Sequence, residues 1–169
     1  WKTYGPVVMA AVRAGVPVLG ANLPTAEQRA TMRDTTLDAR LPPAALAEQQ
    51  QRIRDGHCGA LPEAQTAPMT RVQIARDIAM ADTVAAARQP GRTVLLVAGH
   101  GHVQRTLGVP LHLPAKLTSK VLSARSASPQ YATNVAATEA DAADADLVWP
   151  TPPVPPRDYC AAFRSAPAH

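Results

Sequence analysis

Residues 94–98 read Val-Leu-Leu-Val-Ala without a polar side chain, and Gly99-His100-Gly101-His102 follows at once. A strand that is apolar at every position is typical of a parallel sheet whose two faces are covered by helices. Where such a strand ends in glycines and passes into a helix, open α/β folds form a crevice that binds ligands. The stretch therefore predicts a buried central strand and a ligand crevice that contains His100 and His102.

The remaining strand-like segments fit the same kind of sheet. Residues 4–15 have helical periodicity and end at a glycine, and residues 16–21 form a short apolar run, which predicts a helix followed by a parallel strand. The other predicted segments are strands within 116–127 and 146–149, a surface loop over 128–146 and a proline-rich tail over 150–169.

Between residues 25 and 90 the apolar spacing is helical and no strand pattern occurs. Three helices are predicted there: one that Thr25 and Gln28 begin through a capping box, one from the proline pair at 42–43 to Gly56, and one from near Thr70 to Pro90. The predicted fold class is α/β, with a parallel or mostly parallel sheet flanked by helices. We expect a single domain over 1–169, with residues 25–90 as an inserted helical subdomain.

The charge pattern narrows the choice of partners. The formal net charge is +4, but the basic residues are dispersed and form no block of five or six, so we predict no nucleic-acid partner. A weakly basic surface suits a small anionic ligand. No run of 18 apolar residues occurs, so no segment is predicted to span a membrane.

The two histidines of the predicted crevice allow three interpretations. A His-x-His pair can bind zinc or iron, with His57, Asp77 or His112 as a third ligand, although no spacing selects one of them. A histidine there can also act as a general base or bind a ligand, or it can serve only the turn. The sequence has no GxSxG, HExxH or P-loop motif, so a hydrolase would have to depend on His100 and His102.

Soft and basic side chains near the third predicted helix complete a candidate pocket. Met69, Met80 and His57 would line an apolar pocket that suits a porphyrin, although methionines at helical spacing also fit a core. Arg76 and Asp77 predict a surface ion pair, or a contact with the sheet or with a ligand carboxylate. The candidate ligand-binding residues are His57, Met69, Gln73, Arg76, Met80, Gly99, His100, Gly101 and His102, with His100 and His102 as candidate metal ligands.

The two cysteines, Cys58 and Cys160, lie about a hundred residues apart, and neither belongs to a CxxC motif. Spacing alone leaves two alternatives open. One is a disulfide that closes a long loop in an oxidising compartment, and the other is two unrelated buried thiols.

Several segments together resemble the ChaN-like haem-binding lipoprotein family, which is distantly related to the erythromycin-esterase and TraB/Tiki fold group. The segments are VVMAAVRAGVPVLGANLP, HCGALP, MTRVQIARDIAMAD, VLLVAGHGHVQRTLGVPLHL and VWPTPP with DYC near the end. The most specific of them covers residues 94–113. There His102 stands where the family has its histidine, and His100 stands where asparagine is usual.

The resemblance implies a haem-binding protein of a bacterial iron-uptake system, located in the periplasm or attached to the outer membrane as a lipoprotein. It implies ligand binding rather than catalysis, with a metal-assisted or general-base hydrolase as the alternative. Family members are described as homodimers with haem at the interface, and a TonB-dependent uptake system is the implied partner. An envelope location also favours a disulfide between Cys58 and Cys160.

Two departures from the family pattern affect what can be carried over. Relatives have a first strand and a Gly-Glu-x-His segment before the point that Trp1 matches, so we expect a domain incomplete at its N-terminus. The family's iron ligand is a tyrosine, whereas Tyr4, Tyr131 and Tyr159 all lie outside the predicted helical subdomain. Two alternatives follow: the iron ligand is one of these tyrosines or His57, His100 or His102, or this member of the family binds no haem.

Overall fold

The structure, a computed structural model, describes residues 3–126, 144–153, 155 and 158–161. The helices are α1 (Gly5–Arg13), α2 (Gln28–Thr31), α3 (Pro43–Gly56), α4 (Glu63–Ala86) and α5 (His100–Val103). Three 3-10 turns cover Thr25–Glu27, Thr35–Arg40 and Val109–His112, and the strands are β1 (Leu122–Ser126) and β2 (Leu147–Thr151). Most of the loop predicted over 128–146, and part of the tail predicted over 150–169, lies outside the described residues.

The two strands form a parallel pair, with Ala124 opposite Trp149. Pro150 lies within β2, where it provides no backbone N–H to the ladder, as is usual for proline at the edge of a sheet. Asp146 links the residues that precede the two strands, because its carboxylate accepts a hydrogen bond from the Val121 backbone N–H at 2.7 Å. Parallel strands together with many helices confirm the predicted α/β class.

Helix α4 is the element around which the others pack. It contacts α2, α3 and the 3-10 turns Thr35–Arg40 and Val109–His112. Buried side chains on the helix include Val72, Ile74, Met80 and Ala81. Met80 and Ala81 form a core cluster with Val109, against which Ala21, Leu96, Ala98 and Leu113 pack. The separate subdomain over 25–90 stays a prediction.

Two predicted helix starts in this region are wrong. Helix α4 begins at Glu63 rather than near Thr70, because Pro68 is accommodated inside the helix with the loss of one backbone hydrogen bond. The capping box at Thr25 does not form, since Thr25 opens a 3-10 turn whose N-cap, Pro24, makes no side-chain cap. In contrast, α1 and the end of α3 at Gly56 agree with the sequence pattern.

The apolar segments 16–21 and 93–98 do not form hydrogen-bonded strands, contrary to the prediction. Among the described residues, no backbone hydrogen bond joins the 93–98 segment to a neighbour. Its residues alternate between half-buried and exposed, and Leu95 is 80% exposed while Leu96 packs on the core. The alternation matches the two-residue repeat of a strand, but Leu95 is exposed rather than buried, contrary to the prediction.

We expect the backbone amides of residues 94–98 to exchange rapidly with D2O, because no acceptor among the described residues protects them. The amides of Ile74 and Ala81 in α4 provide the internal control, since both are buried in a continuous helix and are expected to exchange slowly. Site-resolved hydrogen exchange by NMR measures both groups. Protection of residues 94–98 equal to that of α4 would contradict the expected difference.

A disulfide joins Cys58 to Cys160, as the family resemblance implies. Cys58 follows the end of α3 and has a φ of 58°, a left-handed conformation that is uncommon for a residue with a side chain. The bond therefore connects the end of a helix to a segment 102 residues further along the chain. Within the part of the chain that the structure describes, no helix is long and apolar enough to cross a membrane.

Candidate functional site

The Gly-His-Gly-His segment forms a tight turn at the end of segment 93–98. Gly99 is the N-cap of α5, and the His102 backbone N–H donates to the Gly99 carbonyl oxygen at 2.9 Å. Gly108 packs against this turn. A Cβ atom at Gly108 would lie 2.6 Å from the His102 carbonyl carbon, 3.0 Å from the Gly101 carbonyl oxygen and closest of all to the His102 carbonyl oxygen. The close approach of the two backbones therefore requires glycine.

The imidazole of His102 is held by two side chains of α4. Its Nδ1 atom lies 2.5 Å from Oδ1 of Asp77 and 2.9 Å from Nε2 of Gln73. The Asp77 residue is only 1% exposed, and the His102 side chain retains 19% of its accessible surface. With Nδ1 occupied by these contacts, Nε2 is the ring nitrogen left to bind a ligand.

The environment of Asp77 combines opposing effects. Burial raises the pKa of the Asp77 carboxyl above its ordinary value, whereas hydrogen bonds from His102 and Gln73 and the charge of Arg76 act to lower that pKa. A buried carboxylate is stable only when hydrogen-bond donors and positive charge surround it. The prediction of a surface ion pair at Arg76 and Asp77 is therefore wrong, because Asp77 is buried and pairs with His102.

His100 has different neighbours from His102. Its ring nitrogens lie 3.4 Å from Oγ of Ser123 and 3.3 Å from Nη2 of Arg125, both on β1. The two histidines of the turn therefore contact different elements, α4 for His102 and β1 for His100. Among the described residues, no group of three His, Cys, Asp or Glu side chains is placed to hold a metal ion. A metal bound by His100 and His102 stays a prediction.

A cleft of about 920 Å³ opens beside the turn. Its walls are the α1 face that begins at Tyr4, residues 16–19 and 21–22, the second half of α4, and residues 92–99. The lining is mostly apolar, which is usual for a ligand pocket, and the volume lies within the range of such pockets. His102 lines the cleft, and so do Arg88 and Arg92, which follow the C-terminal end of α4.

Four of the nine sequence-predicted ligand residues line this cleft: Arg76, Met80, Gly99 and His102. Gln73 does not line the cleft, but its side chain contacts Nδ1 of His102, which does. The others, His57, Met69, His100 and Gly101, are not part of its lining. The ring of His57 lies at the end of α3, with Nδ1 2.7 Å from the Ile53 carbonyl oxygen.

Two further polar groups belong to the cleft. The Nε atom of Arg76 is buried and has no hydrogen-bond partner among the described residues. A buried guanidinium N–H without an acceptor suits a ligand that supplies an anionic oxygen. The Tyr4 hydroxyl and the His102 ring both come within 4.0 Å of the point that a Gly99 Cβ would occupy, so they share one end of the cleft.

His112, the remaining histidine considered as a third metal ligand, lies in the turn Val109–His112, which packs on α4. Burial lowers its pKa, with the nearby charge of Arg40 as the second cause. Its Nε2 atom is buried and has no hydrogen-bond partner among the described residues. His112 is not part of the cleft lining, whereas Asp77 acts as the partner of His102.

Sequence reasoning did not find that Asp77 and His102 form a pair. Spacing gives no direct signal, since the two residues lie 25 positions apart on different elements. An indirect signal exists, because Asp77 follows Ile74 by three residues and precedes Ala81 by four, so it falls on the apolar stripe of α4. A lone carboxylate on a buried stripe indicates a specific buried partner.

Comparison with protein-family models identifies the family of this chain. A family model described as haem-binding uptake, Tiki superfamily, ChaN matches residues 1–113. The chain belongs to this family. The matched region includes α1, α4, the turn at 99–102 and every residue that lines the cleft. No curated protein and no solved structure matches the chain significantly.

Proposed function

We propose that this ChaN-family protein binds haem in the cleft, with Nε2 of His102 as an iron ligand. The observation that carries the proposal is the contact between Asp77 and His102 Nδ1, because it leaves Nε2 as the remaining ring nitrogen of a residue that lines a mostly apolar cleft. An imidazole whose other nitrogen is bound by a carboxylate is the usual arrangement of a histidine that ligates a metal. The family description supports haem as the ligand.

The residues of the cleft fit haem in three respects. Its apolar walls suit the porphyrin face, and His102 and Tyr4 offer a nitrogen and a phenol oxygen, both known types of haem ligand. Arg76 offers its unpartnered Nε–H to a propionate. Haem, when bound, would supply the iron chemistry, while these side chains bind and orient it.

The cellular setting proposed for this function is the bacterial envelope. The haem-uptake family supports that setting, and the disulfide between Cys58 and Cys160 is compatible with an oxidising compartment. Attachment as a lipoprotein, a homodimer and a TonB-dependent uptake partner stay predictions of the family resemblance.

Titration of the purified protein with hemin tests the proposal. We expect a saturable shift of the Soret band at stoichiometric protein, and an affinity lower by about tenfold or more in His102→Ala, equivalent to about 1.4 kcal/mol. His100→Ala is the matched control, since His100 lies in the same turn but contacts β1, and it should titrate like the wild type. Absence of a saturable shift in the wild type would overturn haem binding, and unchanged binding in His102→Ala would remove His102 as a ligand.

A general-base hydrolase is the second candidate, favoured by the same contact. A carboxylate on Nδ1 with Nε2 free is also how a catalytic histidine is oriented to accept a proton. The hydroxyl of Ser123 contacts His100 rather than His102, so water would be the group that His102 activates. Hydrolysis of a panel of ester substrates that is lost in His102→Ala would support this candidate, and equal rates in both proteins would eliminate it.

A further inference from the structure

Asp77 has a position in the core that packing alone does not explain. It lies on the buried stripe of α4 between Ile74 and Ala81, and it is 1% exposed. A leucine or alanine there would bury apolar surface without a desolvation penalty. The carboxylate instead lies 2.5 Å from Nδ1 of His102, where it influences which ring nitrogen carries the proton.

The hydrogen-bonding groups around Nδ1 determine where the proton lies. The Nδ1 atom carries either one proton or one lone pair, whereas an ionised carboxylate can only accept a hydrogen bond. The Gln73 amide lies 2.9 Å from Nδ1, and because its terminal oxygen and nitrogen are alike in shape, a flipped amide accepts from Nδ1–H. An ionised Asp77 2.5 Å from Nδ1 therefore accepts a proton that Nδ1 carries, and the lone pair of His102 is on Nε2.

We propose that Asp77 is a positioning residue that fixes His102 as the Nδ1–H tautomer, so that Nε2 meets the cleft as a basic ligand that favours ferric over ferrous haem iron. The preference for ferric iron rests on the haem binding proposed above. A carboxylate that accepts the proton of a ligating imidazole increases the basicity of the ligand. A more basic ligand would stabilise the more highly charged state of the iron.

The tautomer is measurable without haem. Long-range ¹H–¹⁵N NMR spectra of the His102 ring in the apoprotein distinguish a protonated Nδ1 from a protonated Nε2. We expect Nδ1–H in the wild type and a shift toward Nε2–H in Asp77→Asn, whose amide can donate to Nδ1. Nε2–H in the wild type would overturn the assignment of the proton, and this observation needs no variant to fold.

The reduction potential of the haem-loaded protein tests the second part of the proposal. We expect Asp77→Asn to lose about tenfold of the preference for ferric iron, which corresponds to a potential higher by about 59 mV for a one-electron couple. Asp82→Asn is the matched control, because Asp82 is an exposed carboxylate on the same helix. It should leave both the tautomer and the potential unchanged.

The outcomes separate this inference from the proposed function. If the wild type binds no hemin, the proposed function fails, while the apoprotein spectra still decide the tautomer. If the wild type binds hemin but the potential of Asp77→Asn equals that of the wild type and of Asp82→Asn, the role of Asp77 in tuning the iron is overturned and haem binding stands.

Discussion

Replacement of both Cys58 and Cys160 by serine is expected to lower the free energy of unfolding by about 4 to 5 kcal/mol. The disulfide closes a loop of 102 residues, and a crosslink over a loop of that length restricts the unfolded chain by about 4.7 kcal/mol. The bond also fixes the position of the end of α3, because Cys58 lies two residues after the last residue of that helix. Denaturant unfolding of the wild type and the double variant, followed by circular dichroism, measures the difference.

Unfolding in the presence of a reducing agent provides the control for this experiment. Reduction of the wild type should bring its unfolding midpoint to that of the double variant, whereas the double variant itself should not respond. Equal midpoints for the oxidised wild type and the double variant would contradict the expected stabilisation. A loss of hemin affinity in parallel with stability would indicate that the cleft depends on the anchored helix rather than on the cysteines themselves, which are not part of its lining.

The periodicity of apolar residues predicted the helices and strands of this chain better than it predicted which segments pair through hydrogen bonds. The apolar pattern correctly placed a helix ending before Gly15 and a strand within 116–127. It also located the strand predicted at 146–149, although β2 continues to Thr151, two residues into the predicted tail. The continuous run at 93–98 predicted a central strand, but a strand also requires neighbours that accept its N–H groups. Hydrogen bonds between segments distant in sequence are not encoded in the pattern of one segment, and here no described residue supplies them.

The same limit applied to the candidate site. The turn at Gly99 and His102 was predictable because glycines at the end of an apolar run specify a local backbone change. The partners of its histidines were not, since Asp77 and Ser123 come from elements 25 residues before His102 and 23 residues after His100. Only the position of Asp77 on the apolar face of α4 indicated that it has a buried partner. The identity of that partner depends on how α4 packs against the turn.

Gly108→Ala is expected to disrupt the turn that presents His102, with a loss of about 3 kcal/mol in stability. The new Cβ would overlap the backbone carbonyl group of His102, and a backbone group cannot move aside as a flexible side chain can. Relief of this overlap would shift His102 relative to Asp77, so hemin affinity should fall together with the unfolding midpoint. Thermal unfolding and hemin titration of the same sample measure the two effects.

Gly101→Ala is the matched control, because it adds the same methyl group one residue before His102. A Cβ at Gly101 meets nothing within 4 Å, and the residue lies inside α5, where alanine is favoured over glycine by about 0.5 to 1 kcal/mol. Gly101→Ala should therefore unfold at the wild-type midpoint or slightly above it and bind hemin normally. Equal behaviour of the two variants would show that the contact between Gly108 and the turn does not hold His102 in place. A loss confined to Gly108→Ala would instead link the ligand position to the close approach of two backbone segments.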